Sequence, residues 1–196
     1  MAVGSFLDDG FGNGQSNSGA VRLFTFTDSN FGGGALSGVI GNGYVGAGNY
    51  NVALDENDFF GVAVSLNAAG NRLAIGARRD DGAGNALSDS GAVYLFTFTD
   101  NNFSGANLAT TVGVGYGVNI ALDSTDFFGN AVSLNAAGDR LAVGAYQDDG
   151  AGNAFTDSGA VYLINFTDTN FNGGTLAGRI GRGYTGAGNY DLGAAL

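Results

Sequence analysis

Apolar residues in this chain fall into short runs of four to nine, and each run ends in a cluster of Gly, Asn, Asp or Ser. That pattern predicts strands joined by tight turns. No stretch sustains a helical period, and the density of glycine works against helices throughout. The runs predict strands over 61–67, 72–78, 91–99 and 108–112, and again over 129–135, 140–146, 159–167 and 175–180. Three more are predicted earlier, over 2–6, 19–27 and 35–40. In the strand at 91–99, Val93 and Leu95 point one way while Tyr94, Phe96 and Phe98 point the other. Both faces are apolar, so both must be covered.

The runs also repeat. LDENDFFGVAVSLNAAGNRLAIGA, starting at Leu54, returns 68 positions later as LDSTDFFGNAVSLNAAGDRLAVGA, starting at Leu122. A partial copy opens the chain, where 1–27 aligns with 73–99 but the counterpart of 127–140 is missing. The connectors GNGYVGAGNYNV at 41–52 and GRGYTGAGNYDL at 181–192 match each other, and the middle unit has a shorter GVGYGVNI. Repeats of this length, each unable to cover its own faces, predict sheets leaning on one another. The expected fold is therefore all-β, with tandem four-stranded antiparallel blades of β-propeller type. The units are 1–53 (lacking its first strand), 54–121 and 122–196. Propellers close with four to eight blades, so the ring is incomplete in this chain. The frame is that of a segment of a longer array, with completion by further chains or an open array as the other solutions.

Composition narrows the function. The chain has 37 glycines and no Cys, His, Pro or Trp among its 196 residues. Disulfides, zinc fingers, thiolate nucleophiles and Ser-His-Asp relays are thereby excluded. Seven arginines stand against 18 acids, for a net charge of -11, so no basic surface exists to neutralise nucleic-acid phosphates. No apolar run approaches the roughly 18 residues that a membrane-spanning helix needs.

FFGVAVSLNAAGNRLAIGA at 59–77 and FFGNAVSLNAAGDRLAVGA at 127–145 resemble FG-GAP repeats, with an SGAVYLF-like strand following each in the family's usual place. Such repeats form the blades of the integrin alpha-subunit propeller and of many large secreted or surface bacterial proteins. The proline of the GAP element is replaced by Phe6, Arg78 or Tyr146. The resemblance implies a non-catalytic role in adhesion or scaffolding, outside the cell or on its surface. It also implies Ca²⁺ in the loop between the FG and GAP strands, but that loop is Asn67-Ala-Ala-Gly-Asn71, with alanines where ligands would stand. A tight hairpin accounts for it.

A second candidate for calcium is the recurring DDGAGN loop, through Asp80, Asp81 and Asp89, and Asp148, Asp149 and Asp157. Adjacent carboxylates beside a flexible glycine turn suit a hard cation; the same residues also cap turns. As a carboxylate pair, Asp148 and Asp149 raise glycoside cleavage as a third reading, although the doublet stands in every copy whereas an active site is built once. GNGYVG and GRGYTG match the dinucleotide pattern G-x-G-x-x-G, yet no helix is predicted after either. Tyr44, Tyr116 and Tyr184 in the connectors suit either inter-blade packing or contact with ligands. The expected partners are a protein or glycan ligand on a surface, or neighbouring repeats through self-association into oligomers or filaments.

Overall fold

The computed structural model describes residues 1–193, and its long-range order is entirely β. The first sheet contains β1 (Ala2–Ser5), β2 (Ala20–Thr25), β3 (Ala35–Gly41) and β4 (Tyr50–Asn51). The second holds β5 (Phe60–Leu66), β6 (Arg72–Ala77), β7 (Ala92–Thr97), β8 (Asn107–Gly113) and β9 (Val118–Asn119). The third repeats it with β10 (Phe128–Leu134), β11 (Arg140–Ala145), β12 (Ala160–Asn165), β13 (Thr175–Gly181) and β14 (Tyr190–Asp191). Strand order follows the chain in all three sheets.

The sheets depart from uniform four-stranded antiparallel units. Each antiparallel meander ends in a two-residue strand that runs parallel to the strand before it, as Ile40 opposite Tyr50 and Gly41 opposite Asn51. The connector makes this possible by looping back: the Asn51 side chain accepts the Gly43 N–H at 2.7 Å, and Gly43 has φ +76°. Two residues are too few for an alternating pattern to register. The second and third sheets thus have five strands, and the first has four because the counterpart of β5 is missing.

Hairpins follow local chemistry. Between β5 and β6, the Asn67 side-chain oxygen accepts the N–H groups of Asn71 and Arg72, both at 3.0 Å, and Gly70 takes φ +72°. Asn135 repeats the arrangement between β10 and β11. A residue with a short amide side chain and a glycine able to go left-handed are what such a turn requires.

The sheets stack face to face. Val93 and Leu95 of β7 share one apolar cluster with Phe128, Val143, Tyr162 and Ile164 of the third sheet. Tyr94, Phe96 and Phe98 share a second with Val21, Leu23 and Ile40 of the first. The middle sheet is covered on both sides, as its two-faced apolar strands require.

Backbone joins the sheets as well. The N–H groups of Asn57, Phe59 and Phe60 donate to the carbonyls of Ser16, Asn17 and Ser18 in the first unit. One unit later, Thr125, Phe127 and Phe128 donate to Ser88, Asp89 and Ser90. Within this ladder the chain kinks into β5 or β10. Phe59 (φ 57°) and Phe127 (φ 52°) are left-handed, and register slips between Phe60 and Ala63 and between Phe128 and Ala131. A left-handed phenylalanine costs of order 1–3 kcal/mol and persists only where surroundings hold it. Here the ladder and the apolar joint do so.

Close approach of backbones sets the spacing. A Cβ on Gly76 would overlap the carbonyl oxygen of Gly129, and one on Gly4 would overlap that of Gly61. Since the obstacle is backbone, no side-chain rotation relieves it. Gly76→Ala is therefore expected to cost at least about 2 kcal/mol through overpacking, lowering the melting temperature by roughly 5 °C or more for a chain of this size. Thermal denaturation followed by circular dichroism checks this; an unchanged melting temperature would mean that the two sheets do not meet at this glycine.

Candidate functional site

The acidic loops sit between β1 and β2, β6 and β7, and β11 and β12. Their composition follows from their backbone. Gly82, Gly84, Asn85 and Asp89 all have positive φ, at 74°, 71°, 55° and 52°. Gly150, Gly152, Asn153 and Asp157 repeat the values closely. Gly, Asn and Asp are the residues that adopt this region at least cost.

The two aspartates of each doublet do different work. Asp80 is buried, and its carboxylate accepts the Gly82 N–H at 2.8 Å, the Tyr94 hydroxyl at 2.7 Å and the Tyr116 hydroxyl at 2.9 Å. Asp148 does the same with the Gly150 N–H at 2.8 Å, Tyr162 at 2.5 Å and Tyr184 at 3.0 Å. These carboxylates are hubs that tie the loop to the third strand of the sheet and to the connector. The second aspartates are braces: Asp81 and Asp149 accept the N–H groups of Asp89 and Asp157, each at 2.7 Å. Asp89 also lies 3.4 Å from the Arg79 guanidinium.

The first unit carries an informative variation. Asp8 accepts the Tyr44 hydroxyl at 2.8 Å, but the place of Tyr94 and Tyr162 is taken by Arg22, whose guanidinium meets Asp8 at 2.8 Å. Arg22 lies on the face of the first sheet away from Val21 and Leu23, where no sheet covers it, and a cation keeps the hub intact while tolerating water.

Burial raises the Asp80 carboxyl above the usual carboxylate range, with tyrosine hydroxyls and the Gly82 N–H pulling it back. The phenols respond in the same sense: burial, aided by the neighbouring carboxylate, lifts Tyr94 well above the ordinary phenol and Tyr184 to about 12. Each tyrosine remains a neutral donor.

Two carboxyls escaped the sequence reading. Asp58 and Asp126, which open the two DFFG strings, are buried beside the hubs. Each accepts a single backbone N–H, from Asp55 at 2.7 Å and Asp123 at 2.8 Å. Burial pushes Asp58 up to about 8 and Asp126 to about 6, against the pull of that one N–H and with further upward pressure from the hub aspartates. The signal available was the D-x-x-D spacing at 55/58 and 123/126, whose first member is exposed while its second is buried.

The loop does not fit calcium. A Ca²⁺ site needs six to eight oxygens converging on one point. Asp80, Asp81 and Asp89 aim at different donors, as do Asp148, Asp149 and Asp157, and N–H and O–H groups already point at the hub oxygens. Among the described residues no three acidic side chains group closely enough to hold a metal ion. Nor do the connectors form a phosphate cradle: GNGYVG leads into β4 and GRGYTG into β14, with no helix N-terminus for a pyrophosphate. Tyr44, Tyr116 and Tyr184 within them serve the hubs.

Three outcomes follow from this geometry. Tyr94→Phe leaves Asp80 buried with one donor fewer and should cost about 1–3 kcal/mol, read from a denaturant titration. Millimolar Ca²⁺ or a chelator should shift the melting temperature by less than about 1 °C, since only an ion bound to the native state stabilises by mass action. Asp58 holds its proton in the folded chain up to about pH 8, whereas the unfolded chain releases it near the ordinary carboxylate value. The native state thus binds more protons between those limits, and stability falls as pH rises across that window. Melting should be higher at pH 5 than at pH 8, and Asp58→Asn should shrink the difference.

No curated protein matches the chain. The family model described as FG-GAP repeat matches residues 54–96 and 122–164, which run from the turn before β5 through β7 and from the turn before β10 through β12. Those spans contain both kinked strands with the donor residues of both ladders, and the hub aspartates Asp80 and Asp148 with their strand tyrosines Tyr94 and Tyr162; over these two segments the chain is similar to FG-GAP repeats.

Proposed function

We propose that the three sheets are blades of β-propeller type, divided as units 1–53, 54–121 and 122–196, and that they form part of an incomplete ring. We place them in a large exported or cell-surface protein, where they act as a non-catalytic scaffold that presents loops to a protein or glycan ligand. The observation that carries this reading is the internal use of the chemistry. Every carboxylate doublet recurs unit by unit, and each of its aspartates accepts from a tyrosine, a loop N–H group or an arginine. A catalytic site would break that repetition at one place. Family resemblance supplies the location.

The loops best placed for a ligand are the acidic loop and the connector of each unit. They meet through backbone bonds, Phe11 N–H to Asn42 carbonyl, Ala83 to Val114 and Ala151 to Arg182. Phe11 packs edge-on against Tyr44, and the Arg182 guanidinium lies over the Phe155 ring. Aromatic rings on braced loops are suited to contacts with sugars or protein surfaces.

Two measurements test the reading. Incubation with a broad panel of polysaccharides should release no reducing ends; release that vanishes in Asp148→Asn or Asp149→Asn would instead make these carboxylates catalytic. Protease treatment of intact producing cells should liberate peptides of this chain, and their restriction to lysed cells would overturn the surface placement.

A further inference from the structure

The outer face of the third sheet occupies the position in its unit of the faces that receive β5 and β10. Its residues are the counterparts of groups buried at the two joints within the chain. Ser18 and Ser90 are fully buried, whereas Ser158 is exposed. Val52 and Ile120 are 3% and 2% exposed, whereas Leu192 is 71% exposed. Tyr50 packs edge-on against Phe96 of the next sheet, while Tyr190 stands 64% exposed.

Glycines and carbonyls tell the same story with more specificity. Gly19 and Gly91 pair in parallel bridges with Phe60 and Phe128, so closely that a Cβ on either would overlap phenylalanine backbone. At Gly159 the nearest atom to such a Cβ is the Tyr146 carbonyl oxygen of its own sheet, at 3.2 Å. Gly4 and Gly76 lie against Gly61 and Gly129 of the following sheet, but Gly144 has only the Ala131 Cβ, at 3.4 Å, in its own. The carbonyls of Thr156, Asp157 and Ser158, counterparts of the ladder acceptors Ser88, Asp89 and Ser90, take no hydrogen bond from the described residues. A hollow of about 420 Å³ beside them is lined by Tyr146, Gly159, Val161, Ile180 and Leu192. An apolar face alone would accept many things. Three vacant acceptors in line with two glycines, which lack side chains where a neighbour's backbone passes elsewhere in the chain, specify an extended strand.

We propose that this face is the docking site for a further FG-type strand, an Asp-Phe-Phe-Gly segment that enters over Gly159 and Gly144 as β5 and β10 enter over their own glycines. The proposal rests on the stacked-blade reading above and names the partner of its open side. The partner is not an intact second copy. Both FFG segments of a copy are buried in its own joints, and among the described residues the outer edge strand of its first sheet is β1, with no FG strand paired to it.

The test uses the full chain and a synthetic peptide with the sequence LDSTDFFGNAVSLN, that of residues 122–135. The peptide should bind saturably, raise the melting temperature, and slow amide exchange through 156–163. Gly144→Ala is the decisive variant, because its new Cβ makes only an ordinary contact within the sheet yet stands where the incoming backbone must pass. It should fold with an unchanged melting temperature and weaken peptide binding about tenfold or more. Binding that ignores Gly144→Ala, or no binding up to about 1 mM peptide, would overturn the proposal. So would concentration-dependent dimerisation through this face, which would assign it to a second copy. Gly76→Ala separates the two levels: if it destabilises the chain while the peptide fails to bind, stacking stands and the docking site falls; if it is neutral, stacking itself fails.

Discussion

Sheets whose both faces are apolar cannot stand alone in water, and every other feature of this chain follows from that constraint. β7 shows it most plainly, with Val93 and Leu95 committed to one neighbour and Tyr94, Phe96 and Phe98 to the other. Such a sheet is stable only as a middle layer. The glycines at 4 and 76 then become obligatory, because two sheets close enough to exclude water bring backbone against backbone. The kinked Phe-Gly entry is the covalent expression of the same demand: the chain must hydrogen-bond to the unit it leaves and then turn into the unit it begins.

The acidity that looked like ligand-binding chemistry is largely turned inward. One carboxylate per loop is spent as a hub between tyrosines, and the next holds the loop closed. Replacing the strand tyrosine with Arg22 in the first unit shows what the hub requires. A donor to the aspartate is indispensable, but whether it is neutral and buried or charged and wet depends on whether a sheet lies over it. Burying Asp58 and Asp126 beside the hubs adds a cost that water would otherwise relieve, and both carboxyls are pushed up, Asp58 to about 8 and Asp126 to about 6.

Stacked units that contact only their neighbours have stabilities that add along the array, with each joint contributing once. The two joints here are near copies in ladder, glycine contact and aromatic pair, Phe60 on Tyr94 and Phe128 on Tyr162. A scaffold of this kind extends or closes without new chemistry, and leaves loop tips free to vary.

Local pattern was enough to read the long strands, the repeat and the two-sided burial of β7, because alternation and turn residues are properties of neighbours in sequence. It was not enough for β4, β9 and β14, two residues each, whose pairing depends on a connector returning to the sheet. Nor could it separate a calcium loop from a hub. Asp-Asp-Gly is written identically in both cases, and the difference lies in where hydroxyls of Tyr94 and Tyr116, far along the chain, come to rest. Asp58 is the sharpest instance: in sequence it is one acid among 18, and only the sheets that close around it make it a buried, proton-holding group. Periodicity tells which side of a strand is greasy; what presses against that side, and which charges are trapped there, is settled by contacts that exist only once the sheets have met.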